Sequence, residues 1–128
     1  MTTKTIDLGK STITFEEDQI AHLNLKQGEL VEIDELKTIF EEIAKQAGEK
    51  KFRLLVTAGN SASLSPEARE YASSAESSDV IVADAVVVQN YSHEMTANFF
   101  IRFNKPNRPT RLFKNREAAC EWLKTFPV

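Results

Sequence analysis

The sequence has 128 residues and a formal net charge of −3, with 41% hydrophobic and 27% charged residues, a composition typical of a globular protein with its own hydrophobic core. The negative charge disfavours nucleic acid as a partner, and the single cysteine, Cys120, excludes an intramolecular disulfide bond. Because neither a signal-peptide pattern nor a run of about 18 apolar residues is present, we expect one cytoplasmic domain, 1–128, without a transmembrane segment.

The first predicted elements are two β-strands joined by a charged turn. β-Branched residues predominate from Thr5 to Phe15, and polar and apolar residues alternate from Ser11 onwards, as in a half-exposed strand. A second strand follows at Ile20–Leu25. The short turn predicts an antiparallel hairpin at one edge of a sheet. Because exposed edges tend to pair, this edge also suggests a homodimer.

The most regular predicted helix follows the hairpin. Its apolar residues recur at steps of three and four, so they share one face, and charged residues occupy the other face. Gly48 ends the helix, at a position where a left-handed backbone is expected. The apolar face consists of Ile33, Leu36, Ile39, Phe40, Ile43, Ala44 and Ala47.

A strand-to-helix corner between Phe52 and Ser65 is the predicted functional region. Phe52–Val56 is almost wholly apolar, which indicates a central strand covered on both faces. A small polar loop follows, and Ser65-Pro66-Glu67 predicts the start of a second helix that ends near Ser74. Ligand sites of α/β domains commonly lie at such corners.

The remaining sequence predicts two further strands and two helices. Val80–Val88 is expected to be a strand, although its first half is also compatible with a helical turn. A third helix is predicted over Tyr91–Phe103 and ends before two prolines, and Thr110–Phe113 forms a last short strand. Asn115 caps the final helix. Its predicted buried stripe consists of Ala118, Ala119, Trp122 and Leu123.

The predicted element order is β-β-α-β-α-β-α-β-α. Helices that alternate with strands after the opening hairpin favour a mainly parallel sheet with right-handed crossovers. We therefore predict an α/β fold with a mixed sheet of about five strands, an N-terminal antiparallel hairpin and helices packed on the sheet.

Three segments near the C-terminus, Asn98–Pro106, Pro109–Phe113 and Glu117–Leu123, form a pattern that the helix start at Ser65–Arg69 also fits. With the element order, this pattern resembles the STAS-like (SpoIIAA-like) domains, the fold of bacterial anti-sigma-factor antagonists, and in particular a group of small, uncharacterised bacterial proteins. The resemblance implies a SpoIIAA-like fold and a non-enzymatic regulatory or protein-interaction module whose partner is another protein.

In the antagonist family a partner kinase phosphorylates a serine at the start of the helix after the central strand, and an aspartate usually precedes that serine. This sequence has Asn60-Ser61 and Ala62-Ser63 in that region, without the aspartate. The simpler interpretation is that Ser65 is only an N-cap and the other serines are loop residues. The predicted partner-binding or phosphorylation site consists of Gly59, Asn60, Ser61, Ser63 and Ser65.

A second candidate site is basic. No acid lies between Glu94 and Glu117, and this run includes the predicted anion- or ligand-binding set Arg102, Lys105, Arg108 and Arg111. Beside it the third helix carries apolar side chains, and this pairing indicates a domain that binds a small amphiphilic ligand or a lipid. The alternative is a solvated basic face and phenylalanines that belong to the core. The apolar residues are Met95, Phe99, Phe100 and Phe103.

Catalytic and metal sites are not expected. His22 and His93 are far apart in sequence and no cluster has metal-ligand spacing, so we predict no metal site and no cofactor. The loop lacks the second glycine of a nucleophile elbow, and an enzyme is not predicted. The enzymatic alternative is a small hydrolase that combines Ser61 or Ser63 with His93. Cys120 has no activating motif and is predicted to be a structural thiol.

Overall fold

The structure, a computed structural model, describes residues 4–74 and 76–128, without the side chains of Ser78, Phe99 and Phe103. The strands are β1 (Lys4–Asp7), β2 (Ser11–Glu16), β3 (Ile20–Leu25), β4 (Leu30–Val31), β5 (Phe52–Ala58), β6 (Ser63–Leu64), β7 (Ile81–Val87) and β8 (Thr110–Phe113). The α-helices are α1 (Ile33–Ala47), α2 (Pro66–Ser73), α3 (Tyr91–Phe99) and α4 (Arg116–Leu123). A 3₁₀ turn spans Ser77–Asp79, and a π-helical turn spans Phe100–Asn104.

The main sheet has the strand order β1-β2-β3-β5-β7-β8. The first three strands are antiparallel neighbours, and the pairs β3/β5, β5/β7 and β7/β8 are parallel. The short strands β4 and β6 form a separate parallel pair in which Leu30 lies opposite Ser63. The predicted mixed α/β sheet, antiparallel at its N-terminal edge and parallel elsewhere, is confirmed.

The predicted count of about five strands is too low, because the main sheet has six. The segment from Thr5 to Phe15 is divided by a turn into β1 and β2. Gly9 takes φ = +89° in this turn, and its N–H donates to Asp7 Oδ1 over 2.8 Å. Glycine adopts this left-handed backbone without a steric penalty. The β-branched composition is similar on both sides of the turn, which conceals it in the sequence.

The helices begin where the sequence predicts, and α3 ends earlier. Side chains of Ser65 and Asn115 cap α2 and α4, and Gly48 follows α1 with φ = +60°, so these three predictions are confirmed. Regular α-helix in α3 ends at Phe99, and the predicted last turn is π-helical instead. In α4 the predicted stripe is wrong at Ala118, which is exposed, whereas Ala119 and Leu123 are fully buried and half-buried Trp122 packs against the same core.

The sheet has a core on each face. On one face α1 and α2 pack over the strands, and α1 buries Leu36, Ile39, Phe40 and Ile43 there. On the other face α4 packs against β5, β7 and β8. β5 contributes to both cores, since Leu54 belongs to the first and Leu55 to the second. A central strand covered on both faces was predicted, and it is confirmed.

Candidate functional site

The corner after β5 is fixed to the loop that follows β3. Gly59 N–H donates to the Leu25 carbonyl over 2.8 Å, and the Asn60 carbonyl accepts from Gly28 N–H over 2.8 Å. A Cβ added to Gly59 would lie only 2.7 Å from the backbone nitrogen of Gln27. Because that approach is shorter than van der Waals contact allows, the corner requires glycine at this position.

The three serines of the corner occupy different environments. Ser65 is 6% exposed, and its hydroxyl accepts from Ala68 N–H over 3.1 Å, so the prediction that it caps α2 is confirmed. Its burial leaves the hydroxyl inaccessible to a partner or a kinase. Ser61 is exposed with φ = +63°, and Ser63 is half-buried in β6, where its N–H donates to the Glu29 carbonyl. Of these three serines, Ser61 is therefore the most open to solvent and Ser65 the least.

The predicted anion-binding residues do not share one environment. Arg102, Lys105 and Arg111 are exposed, and the Arg111 guanidinium lies 5.4 Å from the centroid of the Phe113 ring. Arg108 is buried instead. The interpretation of the basic run as a single solvent-facing site therefore needs correction at Arg108, which bonds within the core.

Arg108 forms a buried ion pair with Asp84. The Arg108 Nε lies 2.9 Å from Asp84 Oδ2, and Arg108 Nη1 donates to the Ser77 hydroxyl over 2.9 Å. The Thr110 hydroxyl also donates to Asp84 Oδ2, over 3.0 Å. Burial raises the pKa of Asp84, whereas Arg108 and Thr110 oppose this change. The sequence signal for this pair is an aspartate inside the apolar run of β7.

A cavity of about 180 Å³ lies between the sheet and the helices α1, α2 and α3. The corner residues Ser61, Ala62 and Ser63 also line it, so the predicted corner and the cavity belong to one site. Most of the remaining wall is apolar, and this wall includes Leu23, Leu54, Val56, Val86, Ala97 and Phe100.

Two polar side chains in the cavity wall have unsatisfied atoms. Asp84 is 4% exposed, and its Oδ1 has no hydrogen-bond partner among the described residues. Both ring nitrogens of His93 are buried, and within the described part of the chain neither has a partner. A buried polar atom left unpaired costs about 1–3 kcal/mol. No local pattern of residues marks this environment of His93, because a histidine near a helix start is usually exposed.

The structure brings the residues of the alternative hydrolase to one cavity, but no hydrogen bond is formed between these residues. Ser61, Ser63, Asp84 and His93 all line it. A nucleophilic serine requires a hydrogen bond to its base, and the ring nitrogens of His93 make none with the described residues. Among the described residues, the hydrogen bond between nucleophile and base is therefore not formed.

A separate polar cluster lies on the opposite face of the sheet. His22 Nε2 is 2.7 Å from the Thr57 hydroxyl, which donates to Asn24 Oδ1 over 2.8 Å. His22 Nδ1 lies 3.2 Å from Arg116 Nη1 and 3.3 Å from Glu16 Oε2. Burial and the Arg116 charge lower the pKa of His22, against the influence of Glu16. Every polar atom of this ring has a partner, which fits the ordinary polar role predicted for His22.

Other chemical features of the described residues are few. In residues 4–74 and 76–128, no three His, Cys, Asp or Glu side chains come together as a metal site. Burial raises the pKa of the half-buried Cys120 thiol, which disfavours the reactive thiolate. None of the described helices combines the length and apolar character needed to cross a bilayer.

Comparisons with known proteins identify a family and a fold. The crystal structure of an uncharacterised protein of the DUF3478 family with a SpoIIAA-like fold, from Shewanella loihica PV-4, is similar to this chain with a TM-score of 0.59. The alignment covers 96% of each chain at 13% identity, so it supports the fold alone and confirms the predicted SpoIIAA-like architecture. No curated protein matches the sequence significantly. A family profile described as a domain of unknown function, DUF7793, matches residues 13–127, and the chain therefore belongs to the DUF7793 family.

Proposed function

We propose that this protein is a non-enzymatic binding module that holds a small, largely apolar ligand in the cavity beneath α3. The observation that carries the proposal is an apolar cavity of about 180 Å³ whose wall contains polar atoms of Asp84 and His93 that have no hydrogen-bond partner among the described residues. An engineered cavity of about 150 Å³ with apolar walls binds benzene. A cavity of this size therefore has room for a ligand of similar dimensions, and the unpaired atoms can hydrogen-bond to its polar groups.

The packing of α3 supports access to this cavity. Between Tyr91 and Asn98 no residue of α3 is fully buried, whereas α1 buries four. The helix is followed by a π-helical turn, a feature that is frequent at functional sites. Elements with few buried apolar contacts open at low free-energy cost. Movement of α3 is therefore the route by which a ligand would enter.

The test is direct detection of a bound molecule. Protein purified without denaturation is measured by native mass spectrometry, and its thermal unfolding is followed with a panel of small aromatic and short-chain aliphatic compounds. A ligand that binds only the folded state stabilises it by RT ln(1 + c/Kd), where c is the free ligand concentration, so the unfolding temperature rises with ligand concentration. We expect at least one compound to do so.

A cavity-filling variant identifies the binding place. Ala97 lines the cavity, whereas Met95 on the same helix is exposed. Ala97→Leu is expected to abolish the thermal shift, and Met95→Leu is expected to preserve it. If no compound shifts unfolding and no molecule co-purifies, the ligand-binding proposal is rejected.

A second candidate function, binding of a protein partner, is favoured by the surface that adjoins the cavity. Asn90 Nδ2 lies 3.4 Å from Asn60 Oδ1, which joins the start of α3 to the corner. Next to this contact Tyr91 is 75% exposed and Met95 is 56% exposed. Exposed aromatic and methionine side chains are enriched in protein interfaces. With exposed Ser61 they form a surface suited to a regulatory partner.

Pull-down from a bacterial lysate tests this second function. Tyr91→Ala should reduce recovery of a specific partner, and Ser61→Asp, which adds negative charge at the corner, should alter it. Lys4→Ala, an exposed substitution on β1, is the matched control. Recovery of no partner, or equal recovery with all three variants, would contradict the interaction role.

A further inference from the structure

The unpaired groups of the cavity indicate the chemical class of ligand. We propose, on the basis of the ligand-binding function above, that the cavity takes a compact uncharged molecule with a hydroxyl group, such as a phenol or an apolar alcohol, and that His93 binds the hydroxyl oxygen. The assignment depends on three observations, which concern hydrogen bonding, charge and volume.

The hydrogen-bonding groups of His93 and Asp84 match a ligand that can both accept and donate a hydrogen bond. An imidazole carries at least one N–H in either charge state, so buried His93 offers a donor that needs an acceptor. The free Oδ1 of Asp84 has the opposite requirement, since it can accept from an O–H. A hydroxyl supplies both functions, whereas a ketone or an ether only accepts.

The cost of desolvation, together with the hydrogen bonds that the cations of the wall already make, disfavours an anionic ligand. The guanidinium of Arg108 is already paired with the Asp84 carboxylate at 2.9 Å. Arg69, the other cation in the wall, donates to the Leu64 carbonyl over 2.9 Å. A carboxylate in this apolar space would lose its hydration and would also be repelled by Asp84. An uncharged hydroxyl avoids both costs.

The volume of the cavity limits the apolar part of the ligand. A volume of about 180 Å³ accommodates one substituted benzene ring or a short alkyl chain, but not the acyl chains of a phospholipid. Leu54, Val56 and Val86 of the sheet and Phe100 beyond α3 supply the apolar contacts for such a ring.

Two probes of nearly equal shape distinguish the contribution of the hydroxyl group to the binding affinity from that of the aromatic ring. p-Cresol and p-xylene differ by a hydroxyl in place of a methyl group, and 4-methylbenzoate is the charged analogue. Their dissociation constants are measured by NMR titration near neutral pH with wild type and with His93→Leu. We expect the p-cresol Kd to rise about tenfold relative to the p-xylene Kd in His93→Leu, because one hydrogen bond is lost.

Two further variants control for loss of folding and for a general effect of removing histidine. His93→Gln retains an N–H donor and should recover much of the p-cresol affinity. His22→Leu makes the same change on the opposite face of the sheet, where His22 bonds to Thr57, and should leave the ratio of the two dissociation constants unchanged. In wild type, p-cresol but not p-xylene should also shift the ¹⁵N resonances of the His93 ring, which is independent of any variant.

The outcomes distinguish this inference from the proposed function. If none of the probes binds wild type, the hydroxyl assignment is overturned, and the ligand-binding function is rejected only if the wider panel and native mass spectrometry also show no bound molecule. If p-xylene and p-cresol bind but His93→Leu leaves their Kd ratio unchanged, the binding function stands and the role of His93 is rejected. Tighter binding of 4-methylbenzoate than of p-cresol would overturn the uncharged class.

Discussion

The two faces of the main sheet are packed in different ways, although the same strands contribute to both. On the α4 face, Ala83 and Ala85 of β7 and Ala119 of α4 are fully buried. Such small side chains allow a helix and a sheet to approach closely. On the opposite face, β5 and β7 present larger residues, Leu54, Val56 and Val86, and the cavity lies above them.

This difference accords with the proposed ligand-binding function, in which the α4 face is structural and the face under α3 binds the ligand. On the α4 face, fully buried Ala119 and Leu123 of the helix pack directly against β5 and β7. The face under α3 is covered by a helix with no fully buried residue between Tyr91 and Asn98, and polar groups of Asp84 and His93 lie unpaired in its wall. An apolar space with a few oriented polar groups is the usual character of a small-molecule site.

The largest expected effect is on the cavity face, at the buried ion pair. Arg108→Met leaves the Asp84 carboxylate without its cation, and breaking a buried pair in this way costs about 3–5 kcal/mol. The free energy of unfolding is measured by urea denaturation. Arg102→Met, which removes an exposed arginine from the same basic run, should change it by less than about 0.5 kcal/mol.

A double variant tests the reason for that loss. In Asp84→Leu/Arg108→Met both charges are absent, so no uncompensated carboxylate remains, and most of the stability should return. Equal losses in Arg108→Met and the double variant would show that lost packing, and not the unpaired charge, causes the effect.

A larger side chain should lower the free energy of unfolding more on the α4 face than on the cavity face. Ala119→Leu inserts a larger side chain into the fully buried contact of α4, and a loss of about 1–3 kcal/mol is expected. Val86→Leu adds a methylene group that can occupy the cavity, so its effect should be within about 1 kcal/mol. Urea denaturation measures both variants. A loss at Val86 as large as that at Ala119 would contradict the contrast between the faces.

Local signals in the sequence were sufficient to predict most of the elements. The apolar period of α1 and the caps Ser65 and Asn115 depend on neighbouring residues only, and they are confirmed except at Ala44, which belongs to the predicted apolar face of α1 and is exposed. The turn at Gly9 was missed because composition does not change across it. The end of α3 was missed because a π-helical turn carries the same apolar spacing as an α-helix over so few residues.

The candidate site was less accessible to sequence reasoning because its features depend on long-range packing. Arg108 is one of several basic residues in a run, and nothing local marks it as the one that pairs with Asp84 inside the core. The cavity arises from how α1, α2 and α3 cover the sheet, which residue spacing does not determine. The corner itself was predicted correctly as a strand-to-helix turn, and Gly59 there is required by its contact with Gln27.

A smaller loss of stability than in Arg108→Met or Ala119→Leu is expected at the N-terminus of α2, the helix that covers the cavity face. Ser65→Ala removes the hydroxyl that accepts from Ala68 N–H, and loss of such a cap costs about 0.5–2 kcal/mol. Ser61→Ala removes an exposed hydroxyl of the same corner and should leave stability nearly unchanged. Thermal and urea unfolding of the two variants compare them directly, and equal losses would mean that the cap of α2 is not what stabilises the corner.

The smallest expected effect is a pH dependence of the free energy of unfolding, which arises from His22 on the opposite face of the sheet. Burial and the Arg116 charge lower the folded-state pKa of this histidine, with Glu16 acting in the other direction. The unfolded chain, with a pKa of about 6.5, therefore binds a proton more readily than the folded protein. As the pH falls through about 6.5 towards the folded-state pKa, this difference decreases the free energy of unfolding.

The comparison that isolates His22 is between wild type and His22→Gln, both measured by urea denaturation between about pH 7.5 and pH 5. Wild type should lose more stability over this interval, because glutamine at position 22 does not titrate and the remaining ionisable groups are shared. Arg116→Gln should reduce the loss, since removal of the nearby positive charge allows the folded-state pKa of His22 to rise. If wild type and His22→Gln have the same pH dependence, protonation of His22 is not coupled to folding, and the polar cluster on this face contributes only fixed hydrogen bonds.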